Sequence, residues 1–190
     1  MITLLIYTGL RRGEVCGLKW GDIDFKSKVL HVQRAILYIP KKGIYEDTPK
    51  TKGSNRVMKV ADVVIYELEQ HRKEQNKTRL KLGDRWNDND YVFTQWDGKA
   101  MHPDSITSWI HRFVEKNNLP QTNIHSLRHT NASLLIANGV NVATVSKRLG
   151  HSSTATTTKT YIHAIKSADE AAAEVLQDLF AKPISKTEKA

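Results

Sequence analysis

A single cysteine, Cys16, stands among the 190 residues. An intramolecular disulfide framework is therefore impossible, and thiol-rich metal sites are excluded with it. Cys16 falls in an apolar helical pattern, where a small core residue is the simplest reading. Long apolar runs are missing too. Residues 1–10 are apolar but too short to span a bilayer, and they have neither the basic start nor the cleavage site of a secretory leader. These absences predict a cytoplasmic protein. Internal repeats are not visible. Acidic residues are in deficit: 20 Asp and Glu face 29 Lys and Arg, a formal charge of +9. That excess favours a polyanionic partner, because each cation near a phosphate releases a condensed counterion. A solvated basic surface gives the same sum, so the position of the charge has to decide.

The length suits one good-sized domain or two small ones. The apolar pattern Ile2, Leu4, Leu5, Ile6 starts at once without capping residues, which predicts one domain of a longer protein. Helical patterns are expected at 2–8 and 13–20, split by a turn in which Gly9 and Gly13 provide backbone freedom. Residues 29–37 alternate and are rich in branched side chains, as a strand is. A turn at 40–43 and short strands at 45–48 and 56–60 follow. From Ala61 the helical period returns, with Val64, Leu68 and His71 on one face. Residues 76–90 are polar and read mainly as a loop, and 91–94 as a short extended piece. Pro103 opens a helix to about Asn117. Another helix runs from about Ile124 to Asn138, ended by Gly139. Asn141 caps a short helix through Leu149, which Gly150 stops. Ser152 or Ser153 caps the next, which carries Tyr161. Residues 166–181 form an Ala-rich amphipathic helix, and 182–190 a polar, disordered tail. The fold class expected is mainly α with a small antiparallel β-sheet.

Four segments hold unusual polar groups. In Thr8-Gly9-Leu10-Arg11-Arg12-Gly13-Glu14, Arg11 lies at a helix start, where backbone N–H groups also favour an anion. Glu14 could hold its guanidinium; the bland alternative is a surface arginine and a first-turn glutamate. The segment from Pro49 to Arg56 is a basic hairpin tip, usually just solvated. In His125-Ser126-Leu127-Arg128-His129, His125 and Arg128 share a helix face, with His129 close by. For His129 alone, a partly buried histidine bonded to backbone is the simpler reading. His125 and His129 also have metal-pair spacing, but Arg128 would set a fixed positive charge beside a cation, and the Glu of such motifs is missing. No metal site is expected. The last segment is Leu149-Gly150-His151 followed by Tyr161. A helix-ending glycine fixes the angle of His151, while Tyr161 taken alone is a core aromatic.

Taken together, in this order and spacing, the four segments resemble the tyrosine recombinases, or phage-type integrases. The family pattern is similar to T-G-L-R-x-x-E, a hairpin lysine, H-x-L-R-H, and L-G-H with a tyrosine about ten residues on. Leu18-Lys19-Trp20-Gly21-Asp22-Ile23-Asp24 also resembles the stretch that follows the first arginine. The likeness covers about residues 1–165 and is nearest to integrases of temperate phages and conjugative transposons, mobile elements of bacteria. It implies a DNA breaking-rejoining catalytic domain over 1–181, with an upstream core-binding domain absent. It implies site-specific recombination of double-stranded DNA through a 3′-phosphotyrosine, without a cofactor. Tyr161 would be the nucleophile. Arg11, Arg128 and His151 would bind the phosphate, and His125 would accept a proton. Lys52, rather than the neighbouring Lys50, would protonate the leaving oxygen. Glu14 and His129 would support them. A homotetramer on DNA, with 166–181 docked on a neighbour, is also implied. Alternatives are DNA relaxation of the type IB topoisomerase kind and a DNA-binding module without chemistry.

Overall fold

A computed structural model of the chain describes residues 1–47, 55–151, 153–162, 165 and 174–176. Helix α1 (Ile2–Thr8) buries Leu4 and Leu5 and ends at Gly9, whose φ of 63° closes the turn by returning its N–H to Leu5 O. A non-glycine residue would pay a steric cost in that left-handed conformation. Helix α2 (Arg12–Gly17) follows after Gly9, Leu10 and Arg11.

The expected helix 13–20 is shorter than its apolar pattern suggested. At Leu18 the backbone turns extended, Leu18 O accepts from Val92 N–H, and Lys19 bridges to Tyr91. A single 3₁₀ turn (Trp20–Asp22) then leads into the sheet. Tertiary pairing with the 91–94 segment overrides the helical period here. Gly13 also differs from its expected turn role. It lies inside α2, and a Cβ there would stand 2.8 Å from the carbonyl oxygen of Ile36. Close approach to a strand, not backbone freedom, requires glycine at that position.

Two small antiparallel sheets take the place of the one expected. Strands β1 (Ile23–Asp24), β2 (Val29–Val32) and β5 (Arg56–Lys59) form the first, in the order β1-β2-β5. Strands β3 (Ala35–Ile39) and β4 (Gly43–Asp47) form the second. The single strand expected over 29–37 is broken at Gln33–Arg34. Both side chains there turn to buried Asp22: Gln33 Nε2 at 2.8 Å and the Arg34 guanidinium as an ion pair. Satisfying that carboxylate outweighs continuous pairing, since an unpaired buried charge is costly.

Helix α3 (Asp62–Leu82) corrects the first part of the loop expected over 76–90; a 3₁₀ turn (Gly83–Arg85) follows, and 86–90 carry neither helix nor strand, as expected. Gln75 anchors the helix, taking Trp20 Nε1–H at 2.6 Å and donating to Tyr91 O and Val92 O. Beyond that point it buries no side chain, Leu80 standing exposed, and it carries local ion pairs such as Lys77–Glu74 and Arg79–Asp88, which a search for apolar periodicity cannot register. Residues 91–94 join no sheet; they contribute isolated bridges.

The C-terminal helices lie close to expectation: α4 (Pro103–Lys116), α5 (Ile124–Ala137), α6 (Val142–Leu149) and α7 (Thr154–Thr160). The caps named from sequence act as such. Asn141 Oδ1 accepts from Ala143 N–H, and Ser153 Oγ from Ala155 N–H. Of the helix expected over 166–181 only 174–176 are described, and they are helical. The expected tail 182–190 lies outside the described residues.

A large core joins α1–α4 to the sheets through Leu5, Leu10, Leu30, Ile36, Ile106 and Ile110. A smaller one holds Ala132, Ile136, Val145, Leu149 and Tyr161. The unusual polar groups collect where these two cores meet.

Candidate active site

The end of α6 organises this region. A helix leaves its last carbonyls without intrahelical partners, and buried acceptors must find donors elsewhere. Gly150, at φ 67°, closes a Schellman turn: His151 N–H returns to Ser146 O and Gly150 N–H to Lys147 O, both at 3.1 Å. Three carbonyls follow, and each meets a different arginine. Arg148 O accepts from Arg56 Nε at 2.7 Å, Leu149 O from Arg128 Nη2 at 2.6 Å, and Gly150 O from Arg11 Nη2 at 2.8 Å. The negative end of the helix dipole thus draws three guanidiniums to one turn. Arg128 is buried and spans the gap between cores, its Nη1 donating to Gly9 O at 2.5 Å.

Glu14 supplies the counter-charge. Its Oε1 accepts from Arg11 Nη1 and Arg56 Nη1, each at 2.9 Å. Its Oε2 accepts from Arg56 Nη2 and the Arg11 backbone N–H, each at 2.8 Å. Burial pushes the Glu14 carboxyl up, but the bonds and charge of Arg56, with those of Arg11, outweigh it and hold the pKa below the ordinary value. Burial, aided by Arg11, lowers Arg128 to about 10 against a small opposing pull from Glu14, so it stays charged at neutral pH. Arg11 differs from the other two in being 40% exposed, against 3% for Arg56.

His151 follows directly from the Schellman turn. Its Nδ1 lies 2.7 Å from Thr157 Oγ1, in the helix that follows. Desolvation first, then the charges of Arg128, Arg11 and Arg56, lower its pKa to about 4. The imidazole is neutral at physiological pH; in the tautomer whose Nδ1 accepts from Thr157 Oγ1–H, the proton sits on Nε2.

Tyr161 packs in the smaller core at 4% exposure, at the C-terminal end of α7. Its hydroxyl lies 2.9 Å from His129 Nδ1. Burial raises its pKa, and Arg128 opposes the rise. His129 therefore departs from the backbone-bonded, partly buried histidine expected of it. Its side chain is exposed and faces the tyrosine hydroxyl and ring. His125 stands exposed on the first turn of α5. Although His125 and Arg128 are three apart on α5, Arg128 points inward and His125 outward. Lys50 and Lys52 lie outside the described residues.

Arg11, Glu14, Arg128 and His151 are thus brought together, with Tyr161 and His129 adjoining them through Arg128. Sequence reasoning missed Arg56, treating its segment as a solvated hairpin tip. A signal was present: Arg56, Met58 and Val60 alternate with exposed residues, so Arg56 shares the inward face and needs a buried partner. Arg148 was missed as well; its guanidinium joins Lys59 O and Tyr7 O, at 3.1 and 3.0 Å. Beside this cluster runs a groove of about 550 Å³, bounded by His31, Gln33, Asn55, Lys147, His151 and Thr154. Its lining mixes these polar side chains with the apolar Val32, Val57 and Ala143. Among the described residues no group of three or more His, Cys, Asp or Glu could hold a metal ion, and no helix is long and apolar enough to cross a membrane.

Comparison with known proteins gives concordant results. A model described as the phage integrase family matches residues 1–168. A XerC-like tyrosine recombinase of Caldanaerobacter subterraneus subsp. tengcongensis is 38% identical over 191 aligned positions, covering 95% of this chain and 49% of that protein. The ICEBs1 integrase of Bacillus subtilis is 30% identical over 177 positions, covering 93% and 48%. The chain therefore spans about half the length of the curated relatives it matches. Among solved structures, the Tn1549 transposon integrase in complex with transposon right-end DNA superimposes with a TM-score of 0.77 at 26% identity, covering 95% of this chain and 57% of that one. The XerA recombinase gives 0.67 at 26% identity, covering 95% and 56%.

Proposed function

The chain belongs to the phage integrase family, and on that footing we propose that it is the catalytic part of a site-specific DNA recombinase that integrates or excises a mobile element. The observation that carries this reading is the convergence of Arg11, Arg128 and His151 on the end of α6, with Tyr161 in the adjoining core. In phosphoryl transfer, charge gathers on the non-bridging oxygens, and catalysis is largely positioning and electrostatics. Two planar guanidinium forks that stay charged at any working pH, and one imidazole N–H, meet that need without a metal ion.

In the proposed reaction, Tyr161 Oη attacks the scissile phosphorus. The new P–Oη bond forms as the P–O5′ bond breaks, leaving a 3′-phosphotyrosine and a 5′-hydroxyl. The phenolic proton passes to a base, for which His125 is proposed once DNA is bound. In the free chain the hydroxyl rests on His129 Nδ1. Lys52, or Lys50 beside it, supplies the proton to the leaving 5′-oxygen. A 5′-hydroxyl from a partner strand then attacks the phosphotyrosine and restores a phosphodiester, so no cofactor is required. Glu14 orients Arg11 and does not react.

The partner is double-stranded DNA, consistent with the DNA held by the Tn1549 integrase. We place the catalytic domain at 1–181, completed on DNA by an upstream core-binding domain, consistent with relatives about twice as long. Residues 166–181 would dock on a neighbour in a homotetramer, and the protein would work in the bacterial cytoplasm, where its DNA is. Trapping on a nicked suicide DNA tests the central claim. Wild type should form a covalent adduct, and Tyr161→Phe should bind DNA without forming one. A metal-dependent product without an adduct would overturn it.

A further inference from the structure

The geometry points to Arg56 as a positioning residue for this site, acting through Arg11 and through the last turn of α6. The inference rests on the recombinase reading above. Arg56 is the first residue of β5, and its side chain is 3% exposed. No other arginine among the described residues makes a two-pronged carboxylate bond here: both of its Nη atoms reach Glu14, at 2.9 and 2.8 Å. Such a fork fixes both the position and the plane of the carboxylate, which a point contact cannot do. Glu14 in turn holds Arg11 at its side chain and its backbone. Arg11 has no other side-chain carboxylate among the described residues.

The third contact gives Arg56 reach beyond Glu14. Its Nε holds Arg148 O at 2.7 Å, one residue before the carbonyl that receives Arg128 and three before His151. One side chain thus ties β5 to the first-arginine turn and to the segment that presents His151. Val57, next in β5, and Arg56 itself line the groove beside His151. Strand β5 pairs with β2 in full register, from Val32 opposite Arg56 to Val29 opposite Lys59. Arg56 is therefore anchored on the sheet rather than on a loop, as a residue that sets the position of others needs to be. With its side chain 3% exposed and held by Glu14 and Arg148 O, it acts through those groups.

The test compares Arg56→Lys with wild type, with Arg11→Lys, and with the double variant, all in the full 190-residue chain. Lysine keeps the charge but not the fork. DNA affinity should stay within about threefold, while the single-turnover rate of adduct formation at saturating suicide DNA falls about 10- to 100-fold. In the Arg11→Lys background the same substitution should cost less than about threefold, because its route of action is already impaired. Losses that multiply fully in the double variant, or a rate equal to wild type, would overturn the inference. A second measurement needs no cleavage. Side-chain NMR of Arg11 in the free chain should show a restrained guanidinium in wild type and a mobile one in Arg56→Lys. An unchanged Arg11 signal would overturn positioning even if the chain cuts DNA, whereas an absent adduct with a mobilised Arg11 would sink the recombinase reading alone.

Discussion

Replacing Gly9 by alanine should damage the fold in a way that can be separated into two causes. At φ 63° an L-residue strains, at about 1–2 kcal/mol. The added Cβ would also stand 2.7 Å from Leu149 Cδ2 and 3.1 Å from Asn131 Oδ1. Leu149 is fully buried, so it has little room to yield, and overpacking of this kind costs about 1–3 kcal/mol. The expected total is about 2–5 kcal/mol. Gly139 is the internal reference: its φ is 78°, but a Cβ there meets nothing within 4 Å. Gly139→Ala should therefore cost only about 1–2 kcal/mol. Urea unfolding of both variants measures the difference, provided the m-value is unchanged. Leu149→Ala should cost less in the Gly9→Ala background than in wild type, by a coupling of about 1 kcal/mol or more. Equal losses for the two glycine variants, within about 0.5 kcal/mol, would refute the packing argument. Gly9 O also holds Arg128, so adduct formation should fall in Gly9→Ala even below its unfolding midpoint.

Glu14→Gln leaves two guanidiniums facing a neutral group, and should lower stability by about 3 kcal/mol, read by urea unfolding; a loss under about 1 kcal/mol would show that the ion pairs contribute little. Since the Glu14 pKa is depressed by folding, its contribution is present above the unfolded carboxylate value of about 4.3 and is lost as pH falls through the folded value. His151 should titrate near about 4 by NMR in the free chain, against about 6.5 when unfolded. Its depressed pKa means that acidification from about 6.5 downward favours the unfolded state, and a midpoint above 6.5 would contradict the cationic surroundings described. His129→Ala and His125→Ala separate resting partner from base. The first should perturb the Tyr161 hydroxyl in the free chain, and the second should slow adduct formation at least about tenfold; the reverse pattern would reassign the base to His129.

Sequence patterns exposed the elements whose cause is local. Asn141, Ser153 and Gly150 announce helix ends because capping is a matter of a few neighbouring bonds. The break at Gln33–Arg34 was hidden because its cause, Asp22, lies eleven residues away from Gln33 and acts through burial. The second half of α3 was hidden for the opposite reason: its support is a polar surface with no apolar stripe. Within the site, the residues with family motifs were legible, and those bound by them only in space were not. Arg56 meets Glu14 across 42 positions, and Arg128 meets Gly9 O across 119. The partner of the Tyr161 hydroxyl likewise depends on how α5 faces the end of α7, which no local spacing encodes.

The three acceptors at the end of α6 are main-chain oxygens, and this gives the site an unusual tolerance. No substitution at 148 or 149 can delete the atom that Arg56 or Arg128 grips, because every amino acid brings the same carbonyl. Only a change that alters the backbone path, above all at Gly150, would move them. The grip of the arginines therefore sets no requirement on the side chains at these positions; what holds those is separate, the burial of Leu149 and the bonds of Arg148 to Lys59 O and Tyr7 O.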